Sequence, residues 1–157
     1  MVQSVIELLE LKKQLFLKYE QASIALTYSD IEQMEFIVDE REQLKEEIDQ
    51  IDVKINQSAI AGQYGEAVWK AIKNQLNRSE VVSELLPLFD KGQEIFAAVN
   101  RIMQMEPLII KHIEETQKEL EQKIKSSNSI PKIKKYFDTI QTDLEDGSLI
   151  RSTSKKI

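Results

Sequence analysis

The stretch IEQMEFIVDEREQLKEEIDQIDVKI, residues 31–55, decides the fold class. Its apolar positions recur at steps of three and four, close to a heptad repeat, and a charged residue, Arg41, occupies one of them. The members of this stripe are Ile31, Met34, Val38, Arg41, Leu44, Ile48, Ile51 and Ile55. Because this spacing places them on one face of a helix, the stretch predicts a long amphipathic helix. An arginine on such a stripe either extends its charged end to solvent or pairs with a carboxylate on a facing helix.

A second helix is predicted immediately before this one, over residues 2–28. Its apolar stripe consists of Val5, Leu8, Leu15, Tyr19, Ala22 and Leu26, broadened by Leu9, Leu11, Phe16 and Leu17. Between the two helices, Ser29 and Glu32 have the spacing of a capping box, in which each side chain bonds the other residue's backbone N–H. Because only a short connection remains, we expect an antiparallel hairpin over residues 2–56.

The rest of the chain predicts a third long helix after an irregular middle. Residues 57–86 contain two glycines and read as short helices and loops, and a long helix is expected over 87–126. Pro87 suits the first turn of that helix, whereas Pro107 should kink it or split it. We therefore expect an all-α protein in which residues 1–129 form a bundle or coiled-coil-like rod.

The C-terminal residues, 130–157, are expected to form a short amphipathic helix and a mobile tail. We also expect the larger aromatic side chains to be buried in the core, as such residues usually are. These are Phe16, Phe36, Trp69, Phe89 and Phe96.

The charge is unevenly distributed along the chain. The formal net charge is −6, and the stretch from residue 29 to 57 carries ten acidic residues against Arg41, Lys45 and Lys54. Such a balance disfavours nucleic-acid binding, which normally requires a basic surface. A solvated outer helix surface explains the acidic excess, and any electrostatic steering of a partner would come from this face.

Residues that could support catalysis or hold a cofactor are scarce. The chain has no cysteine, and its single histidine, His112, excludes the paired histidine sites of zinc proteins and di-iron bundles. The carboxylates fall at helix-surface spacing, and no glycine-rich loop with a following Lys-Ser or Lys-Thr is present to hold phosphate. We therefore expect a protein that is not an enzyme and binds neither a metal nor a cofactor.

The sequence also favours a cytoplasmic protein. Its first residues lack a basic start and a cleavage motif, and no apolar run approaches the roughly 18 residues that span a bilayer. We expect no stable insertion into a membrane.

The segment YSDIEQMEFIVDEREQLKEEID, residues 28–49, resembles the second helix of the flagellar type III export chaperones of the FlgN kind and of the related FliT kind. The residues that match the family's signature are Val38, Arg41, Leu44 and Ile48. The resemblance covers about the first 55 residues well and extends weakly to Asn100-Arg101 and to residues 146–150. Residues 66–86, which include Trp69, have no counterpart in the family pattern.

The resemblance implies a cytosolic chaperone that binds flagellar hook-associated or filament-cap proteins before export and prevents their premature assembly. It further implies that the C-terminal segment contacts the client and that the protein meets the export apparatus. The client-binding residues would be Ile133, Tyr136, Phe137, Ile140 and Leu144, which share one face of the predicted C-terminal helix. The alternative is a coiled-coil structural or adaptor protein that self-associates through residues 31–55. A homodimer is compatible with both hypotheses.

Overall fold

Four α-helices account for most of the described chain, which comprises residues 2–61, 65–123 and 135 of a computed structural model. The α-helices are α1 (Val2–Tyr28), α2 (Ile31–Ala61), α3 (Gly65–Ile72) and α4 (Leu86–Lys123), and two short 3₁₀ turns, Arg78–Glu80 and Ser83–Leu85, precede α4. No strand occurs in these ranges. The all-α fold class is confirmed.

The connection between α1 and α2 is capped one residue later than expected. Asp30 is the N-cap, because its Oδ1 accepts a hydrogen bond from the backbone N–H of Gln33 at 2.9 Å. The Gln33 side chain in turn accepts from the Asp30 N–H at 3.4 Å. The predicted capping box of Ser29 and Glu32 is therefore wrong. The Ser29 hydroxyl donates to the Leu26 carbonyl and terminates α1 instead.

Helix α1 lies between α2 and α4 and packs along both. The ion pairs that join α1 to α4 are Glu10 with Lys91, Lys13 with Glu94, and Glu20 with Arg101. In each pair the two residues are 81 positions apart, so α1 and α4 run parallel and in register. Helix α2 runs opposite to both, because early residues of α1 meet late residues of α2, as Lys12 meets Asp52.

The buried face of α1 differs from the predicted stripe. Leu9 and Phe16 are fully buried, whereas Leu8 and Leu15 are half-buried and Leu11 is exposed. The residues that face the neighbouring helices follow a strict alternation of four and three: Val5, Leu9, Lys12, Phe16, Tyr19, Ser23 and Leu26. Two of these seven positions are polar, which is why a count of apolar residues alone selects a stripe displaced around the helix.

Helix α3 closes the end of the bundle at which α4 begins. Its apolar side chains Val68 and Ala71 belong to the main core. The chain then turns at Asn74, which has a φ of 60°, and the Gln75 N–H donates to the Lys70 carbonyl, as in a Schellman motif. Gly92 of α4 lies directly against the end of α3, since a Cβ there would come within 2.7 Å of a backbone carbonyl oxygen.

Three further expectations about helices and core need correction. Helix α2 continues to Ala61, past the predicted end at residue 56. Helix α4 is continuous across Pro107, so the alternative of two separate helices is wrong. Pro107 has no N–H to donate to the carbonyl one turn earlier, but it is exposed, so water can bond that carbonyl instead. Phe36 is 74% exposed and does not belong to the core, and Trp69 and Phe96 are only half-buried, whereas Phe16 and Phe89 are buried in the core.

We expect Asp30→Ala to lower the free energy of unfolding by about 1 kcal/mol, because the first turn of α2 loses its side-chain acceptor. The matched substitution Glu32→Ala, at the residue that makes no cap, should change it by only a few tenths of a kcal/mol. Urea denaturation followed by circular dichroism measures both. Equal losses for the two variants would contradict the assignment of Asp30 as the cap.

Candidate protein-binding surface

The four residues on which the resemblance to the export chaperones rests point into the bundle. Val38, Arg41, Leu44 and Ile48 are all buried in the described structure, so this motif stabilises the fold and presents no surface to a partner.

Arg41 joins all three long helices. Its guanidinium forms an ion pair with Glu106 of α4 and donates a hydrogen bond to the Tyr19 hydroxyl of α1 at 2.9 Å. It also lies 4.5 Å from the centroid of the Tyr19 ring, within the range of a cation–π interaction. Arg41 is 1% exposed. Of the two alternatives for this residue, the pairing with a carboxylate on a facing helix is the one observed.

The polar layer around Arg41 divides the hydrophobic core into two clusters. The larger cluster lies toward α3 and includes Phe16, Ile48 and Ile102. The smaller one lies toward the α1–α2 connection and consists of Leu26, Met34, Val38, Ile109 and Ile113. A charged layer between two apolar ones restricts how the helices can slide past each other, since a shifted helix would place the arginine among hydrocarbon side chains.

A second buried ion pair lies within the larger cluster. The Lys12 ammonium donates to the Asp52 carboxylate at 2.6 Å, and both side chains are almost completely buried. The carboxylates were expected to lie on helix surfaces, and for Asp52 and Glu106 that expectation is wrong. The sequence does indicate this burial, because Lys12 and Glu106 both lie at positions of the apolar stripes of their helices.

The ion pairs between α1 and α4 lie nearer the surface. A hydrogen bond from Lys91 lowers the pKa of Glu10, and the same bond raises the pKa of Lys91. Hydrogen bonding to Glu20 likewise raises the pKa of Arg101. Since Glu10 ionises more readily in the folded chain, its contribution to stability is present above its unfolded pKa and is lost as the pH falls through its folded pKa. The contribution of Lys91 is complete below its unfolded pKa and is lost as the pH rises through its folded pKa.

An open groove runs along the outer side of the α1–α2 pair. It consists of two adjoining concavities of about 400 and 420 Å³ that share Ala25. The concavity nearer the helix connection is lined by Ala25, Glu32, Gln33, Phe36 and Ile37, and the other by Gln14, Leu17, Lys18, Gln21, Ala22, Ala25 and Glu40. Small side chains at Ala22 and Ala25 leave this space between the helices unfilled. The ring of Phe36 is the most exposed apolar group along it.

The solvent-facing side of α2 is strongly acidic. With Arg41 and Asp52 buried, nine carboxylates and two amines, Lys45 and Lys54, remain accessible between residues 30 and 54, a net charge of −7. Glu32 and Glu40 of this set line the groove. The groove therefore combines an apolar floor with a negative border.

The predicted client-binding residues Ile133, Tyr136, Phe137, Ile140 and Leu144 lie outside the described residues. The sequence did not predict the groove, because the hydrophobicity of Phe36 indicated a core position. An aromatic residue two positions after Met34 and two before Val38 lies off the buried stripe of α2, and this was the available signal.

Within residues 2–61, 65–123 and 135, no group of three His, Asp or Glu side chains is placed to hold a metal ion. None of the helices in these ranges is both long and apolar enough to cross a membrane. His112 is half-buried and its Nε2 donates to the Ser29 carbonyl at 2.7 Å, so it links α4 to the α1–α2 connection.

Comparisons with known proteins do not assign the chain to a family. No family model matches it, and neither a curated protein nor a solved structure shows significant similarity.

We expect Arg41→Met and Glu106→Leu each to cost about 3–5 kcal/mol of unfolding free energy, because each leaves an opposite charge buried without its partner. The double variant should be more stable than either single one, since it removes both charges. As a control, Arg78→Met, at an ion pair with Asp90 in which both side chains are exposed, should cost about 1 kcal/mol or less. Chemical denaturation of the four variants measures this; additive losses at 41 and 106 would contradict the coupling.

We expect the carboxyl group of Glu10 to titrate below the usual pKa of a glutamate, because Lys91 donates a hydrogen bond to its ionised form. Lys91→Gln should move this pKa back toward the usual value. Carbon-13 NMR of the side-chain carboxyl group against pH measures both. An unchanged midpoint in the variant would show that Lys91 is not the cause.

Proposed function

We propose that this protein is a cytosolic flagellar export chaperone, which binds hook-associated or filament-cap proteins before type III secretion and prevents their premature assembly. The observation that carries protein binding is the open groove with an exposed Phe36 on an elongated helical bundle. The flagellar assignment rests on the resemblance of residues 28–49 to the second helix of the FlgN and FliT chaperones.

A groove between two helices is suited to an amphipathic helix of a client, whose apolar face it can cover. A client segment that is disordered when free and folds on binding loses conformational entropy at that step. Part of the interaction free energy is then spent on ordering, so the complex stays reversible. Reversible binding is what a protein needs if it must release its client to an export apparatus.

The resemblance places client contacts at Ile133, Tyr136, Phe137, Ile140 and Leu144. Within this proposal the α1–α2 groove can bind another part of the same client.

The alternative function, a coiled-coil adaptor that self-associates through residues 31–55, has less support. Met34, Leu44, Ile48, Ile51 and Ile55 are buried against the other helices of the same chain. The seam that a second copy would need is therefore already covered.

We expect the full chain to form a one-to-one complex with a hook-associated or filament-cap protein, measured by size-exclusion chromatography with light scattering. Tyr136→Ala combined with Phe137→Ala should abolish the complex without changing helicity or melting temperature. An equal loss of fold stability would assign both residues to a structural role. A free protein that is an oligomer at all concentrations and captures none of these clients would favour the adaptor.

A further inference from the structure

We infer that the α1–α2 groove binds one positively charged amphipathic helix of a partner protein, with Phe36 as its central apolar contact and Glu40 as a charge contact. The inference rests on the proposed protein-binding function and adds the location of a site and the chemistry of its occupant. It concerns the outer side of the bundle and is independent of the C-terminal segment.

The dimensions of the groove fit a short helix. Its α1 border extends from Gln14 to Ala25, which at 1.5 Å per residue is about 16 Å, or three helical turns. Two adjoining concavities along one line offer places for side chains on successive turns of a bound helix. Leu17, Phe36 and Ile37 supply apolar surface to such side chains.

The charge of the groove selects the occupant. Glu32 lines one concavity and Glu40 the other, and the accessible side chains of residues 30–54 carry a net charge of −7. Lysine or arginine residues flanking the apolar face of a bound helix would meet these carboxylates, which favours association and discriminates against acidic helices. Lys18 is the one amine among the lining residues and lies in the concavity farther from the helix connection.

A second copy of the chain fits this surface poorly. The hydrophobic stripe of α2 is buried and its exposed side is acidic, so two copies meeting at this face would bring like charges together. A positively charged helix from a different protein meets neither obstacle.

The test uses the full-length chain and two fluorescein-labelled model peptides of about 15 residues. Both have leucine at helical spacing, and the other positions are lysine in one and glutamate in the other. Fluorescence anisotropy should show saturable binding of the lysine peptide only. Phe36→Ala and Glu40→Lys should each weaken that binding about tenfold, because one removes the apolar contact and the other reverses a charge at the groove.

Two matched controls lie on the same helix outside the groove. Val53→Ala removes an exposed apolar side chain. Glu47→Lys makes the same charge change one heptad further along α2 than Glu40. Both should leave the affinity within about twofold. Equal weakening by Glu40→Lys and Glu47→Lys would show that total charge alone attracts the peptide, and it would overturn the site.

Two other results would also overturn the inference. One is binding of the glutamate peptide or of neither peptide. The other is binding that appears only after Lys132, Lys134 and Lys135 are replaced by glutamine, because the chain's own segment would then be the occupant. Failure of the proposed function is separate: a protein that binds the lysine peptide in the groove but no flagellar client retains the site and loses the export assignment. If a client complex survives Phe36→Ala and Glu40→Lys, the export assignment stands and the groove is not the client's binding site.

Discussion

The buried guanidinium of Arg41 is the constraint on which the arrangement of the three long helices depends. A charge with 1% exposure is tolerated only if hydrogen-bond acceptors, one of them of opposite charge, surround it in suitable geometry. These acceptors come from both other helices, Glu106 from α4 and Tyr19 from α1. Leucine and isoleucine side chains alone would permit several registers of nearly equal energy. The polar layer distinguishes one of them, as a single polar residue does in a coiled-coil seam.

The two sides of α2 have different roles as a result of this constraint. The side that carries Val38, Arg41, Leu44 and Ile48 is buried against the other helices, so these residues stabilise the fold and do not contact a partner. The opposite side bears the acidic charge and Phe36, and it borders the space left open by Ala22 and Ala25. Because residues such as Glu32, Phe36 and Glu40 on this outer side are exposed, we expect substitutions there to have little effect on packing.

The sequence predicted the order and the approximate bounds of the long helices because apolar periodicity is a local property, although the cap of α2 lies one residue later than expected and Pro107 does not divide α4. It predicted the polar interior poorly, since Lys12, Asp52 and Glu106 look like surface residues unless their positions on the stripes are weighed above their charge. Phe36 shows the opposite error: its hydrophobicity was weighed above its position between Met34 and Val38. The parallel register of α1 and α4 depends on ion pairs between residues 81 positions apart, and no local pattern specifies them. The groove depends on how closely two helices approach, which small side chains influence but do not determine.

Trp69 of α3 is half-buried, with the Lys73 ammonium 4.8 Å from its ring centroid. As the chain's single tryptophan, it makes intrinsic fluorescence a reporter of one end of the molecule. Its emission will follow the undocking of α3 from the main core. None of the residues that line the groove belongs to α3, which packs against the larger cluster of the core. Ligand binding in the groove is therefore expected to leave the emission of Trp69 unchanged. A change in this emission on adding a partner would indicate a rearrangement that extends to α3.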